Sequence, residues 1–155
     1  MQWFARENLT LEANFGWDDG RDWLIWDSGA LLGRYQREQL STDFNLDWFP
    51  APGHEFRLKL QWLGLNAFDA RAVRIGAGGR LHPADDVLED FVVNNLGLQL
   101  RYRWEFAPQS DLYVVYGRGG IVERAGRERD FVELLDQALE LRDADQVLVK
   151  LRRRF

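Results

Sequence analysis

The 155-residue sequence contains no cysteine, which excludes disulfide frameworks, thiolate zinc sites and cysteine nucleophiles. It also contains no apolar run approaching the ~18 residues of a membrane-spanning helix. Lysine is scarce, with two residues against eighteen arginines, and the net charge is -5. An acidic balance argues against nucleic-acid binding, which usually requires a basic stripe. This composition does not exclude a membrane β-barrel, because barrel strands alternate apolar and polar residues.

The sequence is rich in segments that alternate with a period of two, which is typical of β-strands. The longest segment, residues 94–106, places six large apolar residues on one face: Leu96, Leu98, Leu100, Tyr102, Trp104 and Phe106. Residues 54–62 alternate in the same way, and residues 8–15, 39–48 and 147–155 do so less sharply. Residues 112–116 are apolar on both faces, so the facing of residues 112–118 stays open. The pattern predicts six strands.

The connections between these segments suggest an up-and-down arrangement. Residues 50–53 (Pro-Ala-Pro-Gly) and 107–111 predict tight turns. Residues 16–27, 69–86 and 119–144 predict long links. Short turns at one end and long loops at the other are the plan of an outer-membrane barrel.

Aromatic residues are concentrated toward both ends of the predicted strands. Near the short turns lie Trp48, Phe49, Phe56, Trp104, Phe106, Tyr113 and Phe155, and toward the other end lie Trp23, Trp26, Phe68 and Phe91. Amphipathic rings at the two headgroup levels form girdles in membrane barrels. The alternative is that strands favour aromatic residues in any setting.

A helix is predicted within residues 128–142. Its apolar side consists of Phe131, Leu134, Leu135, Ala138 and Leu139, at helical spacing, with acidic residues opposite. We interpret it as a loop helix packed on a barrel rim, with a partner-binding helix as the alternative.

Four stretches resemble the C-terminal end of a family of uncharacterised bacterial proteins, the domain-of-unknown-function family 5916. They are residues 48–55, 58–62, 98–108 and 110–116. The resemblance implies a secreted domain like carbohydrate-binding family 9, followed by an outer-membrane barrel. It also implies that Phe155 is a terminal signal for the outer-membrane assembly machinery, although Arg153 stands where the family has an aromatic residue. We therefore expect residues 1–155 to be the C-terminal barrel segment of a longer chain from a Gram-negative bacterium.

Candidate catalytic and binding residues form no convergent set in the sequence. His54 and His82 are interpreted as turn and loop residues. Asp18, Asp19, Asp22 and Asp27 crowd one predicted loop, but their spacing does not match a calcium-binding EF-hand loop. Trp17, Trp23 and Trp26 could stack on sugars, and loop packing or interface anchoring is the alternative. We expect no enzymatic activity, cofactor or metal.

The sequence thus predicts an all-β, antiparallel meander that is part of an outer-membrane β-barrel, with one short loop helix. It would form barrel wall against the lipid bilayer, with a charged interior for transport of a solute or anchoring of another domain. The predicted interior charges are Asp43, Asp47, Arg57, Lys59, Arg101, Arg103, Glu105, Lys150, Arg152 and Arg154. The alternatives are a soluble β-sandwich that binds carbohydrate, or an accessory module of a carbohydrate-active enzyme. At the 50–53 turn, charge complementarity predicts Asp47 opposite Arg57 and Asn45 opposite Lys59.

Overall fold

The computed structural model describes residues 1–128 and 130–154, and its main feature is one antiparallel sheet. The elements are β1 (Gln2–Arg6), β2 (Leu9–Ser28), β3 (Leu31–Trp48), β4 (His54–Ile75), β5 (Leu81–Pro83), β6 (Phe91–Ala107), β7 (Ser110–Ala125), α1 (Phe131–Glu140) and β8 (Ala144–Arg152). A short 3-10 helix, Ala77–Gly79, precedes β5.

The strands follow one another in the order β1-β2-β3-β4-β6-β7-β8, and β5 pairs with the far end of β4. Every pairing is antiparallel, as the predicted meander requires. Over the described residues, β1 and β8 do not pair with each other, so the sheet is not closed into a barrel. In the described residues the fold is therefore mostly β, with eight strands rather than the six predicted and one short α-helix.

The predicted link of residues 16–27 is wrong, because these residues continue β2. The chain reverses instead through a tight turn at Gly29 and Ala30, where Gly29 has a φ of 53°. Glycine adopts this left-handed conformation without the steric penalty of a Cβ. The two long strands β2 and β3 then pair almost throughout, from Leu9 opposite Trp48 to Ser28 opposite Leu31.

The other two predicted links are shorter than expected. Strand β4 continues to Ile75 and β7 to Ala125, so the connections begin only after these residues. The second connection holds α1, which confirms the predicted helix. Asp130 caps it by accepting a hydrogen bond from the Val132 amide. Among the described residues, no helix has the length and apolarity needed to cross a membrane.

The hairpin at residues 50–53 confirms the predicted register. Asp47 lies opposite Arg57, and Asn45 lies opposite Lys59. Trp48 lies opposite Phe56, and their rings stack with centroids 5.5 Å apart. Gly53, with a φ of 78°, closes the turn, and its carbonyl accepts a 2.7 Å hydrogen bond from the Glu105 amide. The turn thus fixes β4 against β6 as well as β3.

Candidate charged face of the sheet

Strand register divides the half of the sheet nearest the 50–53 turn into one apolar and one polar face. Directly opposed residues share a face, so Leu46, Leu58 and Leu100 lie in one row. The neighbouring row holds Asn45, Lys59 and Gln99 on the other face. We call these the leucine face and the charged face. The alternation predicted from the sequence is therefore continuous across neighbouring strands.

Glu55 is the centre of an ion network on the charged face. Its Oε1 lies 3.3 Å from Arg101 Nη2 and also contacts Arg57 Nε, while Oε2 lies 3.8 Å from Arg103 Nη1. Arg57 Nε also lies 3.4 Å from Asp47 Oδ1. Arg57 and Arg101 are directly opposed, and two like charges in this position repel each other. The shared carboxylate of Glu55 compensates for that repulsion.

Asp111 is a second centre, and the sequence analysis missed it by placing it in a turn. Its side chain is fully buried. Oδ1 accepts a hydrogen bond from Arg103 Nε at 2.9 Å and lies 2.7 Å from Arg103 Nη2, and Oδ2 accepts a hydrogen bond from Arg152 Nη2. A buried carboxylate requires paired charges and hydrogen bonds, and here two arginines from β6 and β8 provide them. Asp111 thus ties three strands together.

The remaining predicted charges lie on or beside this face without joining one cluster. Asp43 accepts a 2.6 Å hydrogen bond from Gln61, and Glu105 lies 3.3 Å from Arg103. Lys59 borders an open cavity of about 300 Å³ with Arg57 and Arg101. The other two predicted charges lie at the β8 end, where Lys150 is opposite Tyr113 and the backbone amide of Arg154 donates to Ser110 Oγ at 3.2 Å. Phe155, the predicted assembly signal, lies outside the described residues.

An aromatic cluster lies on the leucine face beside the short turns. Phe56 and Tyr102 stack with centroids 4.5 Å apart, and the His54 ring stacks on Trp104 at 5.9 Å. His54 Nδ1 and the Tyr102 hydroxyl are 2.8 Å apart. His54, expected to be a plain turn residue, instead begins β4 as a member of this cluster. We call this set, with Trp48, the lower aromatic cluster.

The leucine face leaves large apolar side chains in contact with solvent in strands across the sheet. Phe15 is 75% exposed, Leu100 40%, and Val149 63%. Val147 and Leu151 of β8 are exposed to a similar degree. The register also settles the open facing of the 112–116 segment, because Leu112, Val114 and Tyr116 lie opposite Trp104, Tyr102 and Leu100. An apolar surface of this breadth is unusual on a monomeric soluble protein and marks an interaction surface.

Helix α1 covers the leucine face farther from the short turns. Leu134 and Ala138 pack against Trp62, Val92 and Leu96. Asn94 fixes the contact, because its Oδ1 accepts from Trp62 Nε1 at 2.8 Å and its Nδ2 donates to the Leu134 carbonyl at 2.6 Å. The helix thus packs on the face of the sheet.

Farther along the strands the polarity of the two faces reverses. Asn66 and Asn94 are buried beneath α1 and the segment that leads to it, and Asn66 Oδ1 accepts from the Glu128 amide at 3.0 Å. On the opposite face, Tyr35, Leu65 and Ala67 form a second apolar cluster. Neither asparagine was a predicted site residue. The only sequence signal is that each interrupts an otherwise apolar alternating row.

The remaining candidate residues from the sequence analysis lie in β-strands rather than in the predicted loops. His82 lies in β5, opposite Arg74 of β4. The four aspartates, Asp18, Asp19, Asp22 and Asp27, all lie in β2, where Asp18 pairs with Arg37. Trp17 packs edge-on against Phe131 at 5.4 Å, and Trp23 lies near Phe91. In the described part of the chain, no three His, Asp or Glu side chains are placed to hold a metal.

The fold and faces define an antiparallel meander sheet with one apolar and one charged surface. Residues 7–153 match the family described as Domain of unknown function (DUF5916). Because the match covers nearly the whole sequence, the chain belongs to that family. No curated protein and no solved structure matches the chain.

Proposed function

We propose that this chain forms part of the wall of a bacterial outer-membrane β-barrel, with the leucine face toward lipid and the charged face toward the interior. The exposed apolar surface from β2 to β8 carries the proposal, since lipid would cover it without a second protein layer. The role is structural and non-enzymatic, and the interior would serve passage of a solute or anchoring of another domain.

The dimensions of the leucine face support this role. On β6 it extends from Trp104 in the lower aromatic cluster to Leu96 beneath α1, which is eight residue steps. At ~3.4 Å per residue the distance is about 27 Å along the strand. With a strand tilt of ~40°, the height is about 20 Å, against an apolar band of ~25 Å in outer-membrane barrels. Helix α1 would then lie near the far headgroup level.

The open edges of the sheet also support the proposal. Within the described residues, β1 and the part of β2 beyond it leave one edge of the sheet unpaired and β8 leaves the other, and unpaired edges of long strands promote aggregation. Closure with further strands would remove both edges. The family resemblance suggests a longer chain with a carbohydrate-binding-type domain, so carbohydrate is the proposed partner of that domain.

The charged face suits an interior position. The network around Glu55 and Asp111 pairs most of its charges within the protein, while Lys59 and Arg101 border an open cavity. Charges on the lipid side are costly at mid-membrane depth, whereas charges that line a water-filled interior are tolerated. The bilayer and the assembly machinery are therefore the proposed partners, and the outer membrane the proposed location.

Two arginine substitutions at neighbouring positions test the proposal. Leu100→Arg places a charge on the leucine face and should cost about 2–4 kcal/mol of folding free energy in lipid. Gln99→Arg places the same charge on the other face and should cost much less. The measurement is unfolding free energy in lipid vesicles. Equal tolerance of both would refute the proposal, and stable folding without detergent or lipid would favour the soluble carbohydrate-binding alternative.

A further inference from the structure

Two β-bulges flank the same point of β3, at the end of the sheet far from the 50–53 turn. On one side, residues 21 and 22 of β2 interrupt the register between Gly20 and Trp23. On the other side, the register with β4 shifts between Arg34 and Gln36. Asp22 and Asp69 adopt positive φ values of 60° and 55° within these bulges. Aspartate tolerates this conformation better than most non-glycine residues, and positive φ values within β-bulges are found preferentially at functional sites.

The bulges surround a cavity of about 110 Å³. Its charged and amide side chains are Arg21, Asp22, Arg34, Gln36, Asp69 and Arg71. One water occupies ~30 Å³ in the liquid, so the space suits a small ion or a single headgroup moiety. Three cations face two carboxylates, and the cavity therefore has a net positive charge.

The arginines of this cavity are incompletely paired. Arg34 and Arg71 are directly opposed across β3 and β4, an arrangement of like charges that destabilises a sheet. Asp22 Oδ1 lies 3.5 Å from Arg34 Nη1, whereas the buried Arg34 Nε has no hydrogen-bond partner among the described residues. Within residues 1–128 and 130–154, Arg21 and Arg71 form no ion pair. Asp69 is engaged by a 2.6 Å hydrogen bond from Gln36.

We propose that this cavity binds a phosphate-type oxyanion between Arg34 and Arg71. Guanidinium groups present forked donors that match phosphate oxygens, and a bound anion would relieve the repulsion between the opposed arginines. The anion is either a free phosphate or the phosphate of a lipid headgroup. The proposal goes beyond the barrel-wall role and does not depend on it.

Calorimetric titration of the detergent-solubilised chain with inorganic phosphate tests the proposal at constant ionic strength. Arg71→Gln and Arg34→Gln should each weaken binding by about tenfold or more, the loss expected for a charge-assisted hydrogen bond. Arg80→Gln is the matched control, because Arg80 is an exposed arginine outside the cavity. It should leave the affinity unchanged.

A second variant keeps the test decisive if the arginine variants fold poorly. Asp22→Asn removes a competing carboxylate and retains a side chain that tolerates positive φ, so phosphate should bind severalfold more tightly. Phosphatidylcholine vesicles with and without phosphatidic acid identify the source of the anion. Selective binding to the anionic vesicles without binding of inorganic phosphate would indicate a headgroup. If Arg71→Gln and Asp22→Asn matched the parent chain with both probes, the site would be refuted.

Discussion

Replacing Asn94 with alanine should release α1 from the sheet. Asn94 is 1% exposed and links Trp62 Nε1 to the Leu134 carbonyl through hydrogen bonds of 2.8 and 2.6 Å. The alanine variant loses both bonds and leaves a buried donor and a buried acceptor without their partner. A buried polar group left unsatisfied costs about 1–3 kcal/mol, so the two groups together should lower the free energy of unfolding by about 2–6 kcal/mol. The destabilisation should mainly affect the packing of α1 on the sheet.

Equilibrium unfolding in detergent, followed by tryptophan fluorescence, measures the total effect of Asn94→Ala. Hydrogen exchange at the amides of α1 locates it. The matched control is Asn95→Ala, since Asn95 is the next residue of β6, is exposed and lies on the opposite face. Surface substitutions of this kind usually stay within about 0.5 kcal/mol. If Asn94→Ala destabilised the chain no more than Asn95→Ala, the proposed anchoring of α1 would be refuted.

Two further predictions concern Gly53 and Asp111 at the short-turn end of the sheet, with Gly78 in the connection after β4 as the comparison for Gly53. Gly78→Ala should cost about 1 kcal/mol, because Gly78 has a φ of 74° in open space, whereas Gly53→Ala should cost more, because a Cβ there would lie 2.8 Å from the Glu105 carbonyl oxygen. Thermal unfolding of both variants checks the difference, and equal losses would contradict it. Asp111→Asn should loosen β8, because it removes the charge shared by the arginines of β6 and β8. Hydrogen exchange at the β8 amides should then rise, and it should not rise in the exposed control Asp145→Asn; equal exchange in both variants would contradict the bridging role.

The sequence predicts the short-turn half of the sheet well because two independent signals agree there. The Pro-Ala-Pro-Gly turn fixes where the chain reverses, and charge complementarity of Asp47 with Arg57 selects one register. Helix α1 is similarly predictable, because its apolar positions recur at a helical period. These signals are local, because the turn with its flanking charges and the helical period of α1 each lie within one short stretch of the sequence.

The far half of the sheet depends on contacts that no single segment reveals. Glycines and aspartates in residues 16–22 are typical of loops, yet pairing with β3 over nearly its whole length keeps them in β2. The bulge at Asp22 breaks the period of two, which hides the continuing strand. The turn at Gly29 and Ala30 also lacks the prolines that mark the turn at residues 50–53 in the sequence.

The reversal of the two faces also escapes sequence patterns. Asn66 and Asn94 interrupt apolar rows, and their role emerges only when α1 returns to the sheet from forty or more residues downstream. Asp111 lies within a predicted turn, and its burial depends on Arg152 from another strand. Polar residues that satisfy distant partners are therefore the part of the site that alternation cannot predict.

The central claim is that the leucine face contacts lipid and the charged face lines the barrel interior. Fluorescence quenching at two neighbouring positions tests it most directly. The chain has no cysteine, so Leu58→Cys and Lys59→Cys each provide a single labelling site. Leu58 lies on the leucine face in a row with Leu46 and Leu100, and Lys59 lies on the charged face in a row with Asn45 and Gln99. In lipid vesicles, a fluorophore at position 58 should be quenched by spin-labelled lipid and one at position 59 by aqueous iodide. Quenching of both by iodide alone, or the reverse assignment, would contradict the account.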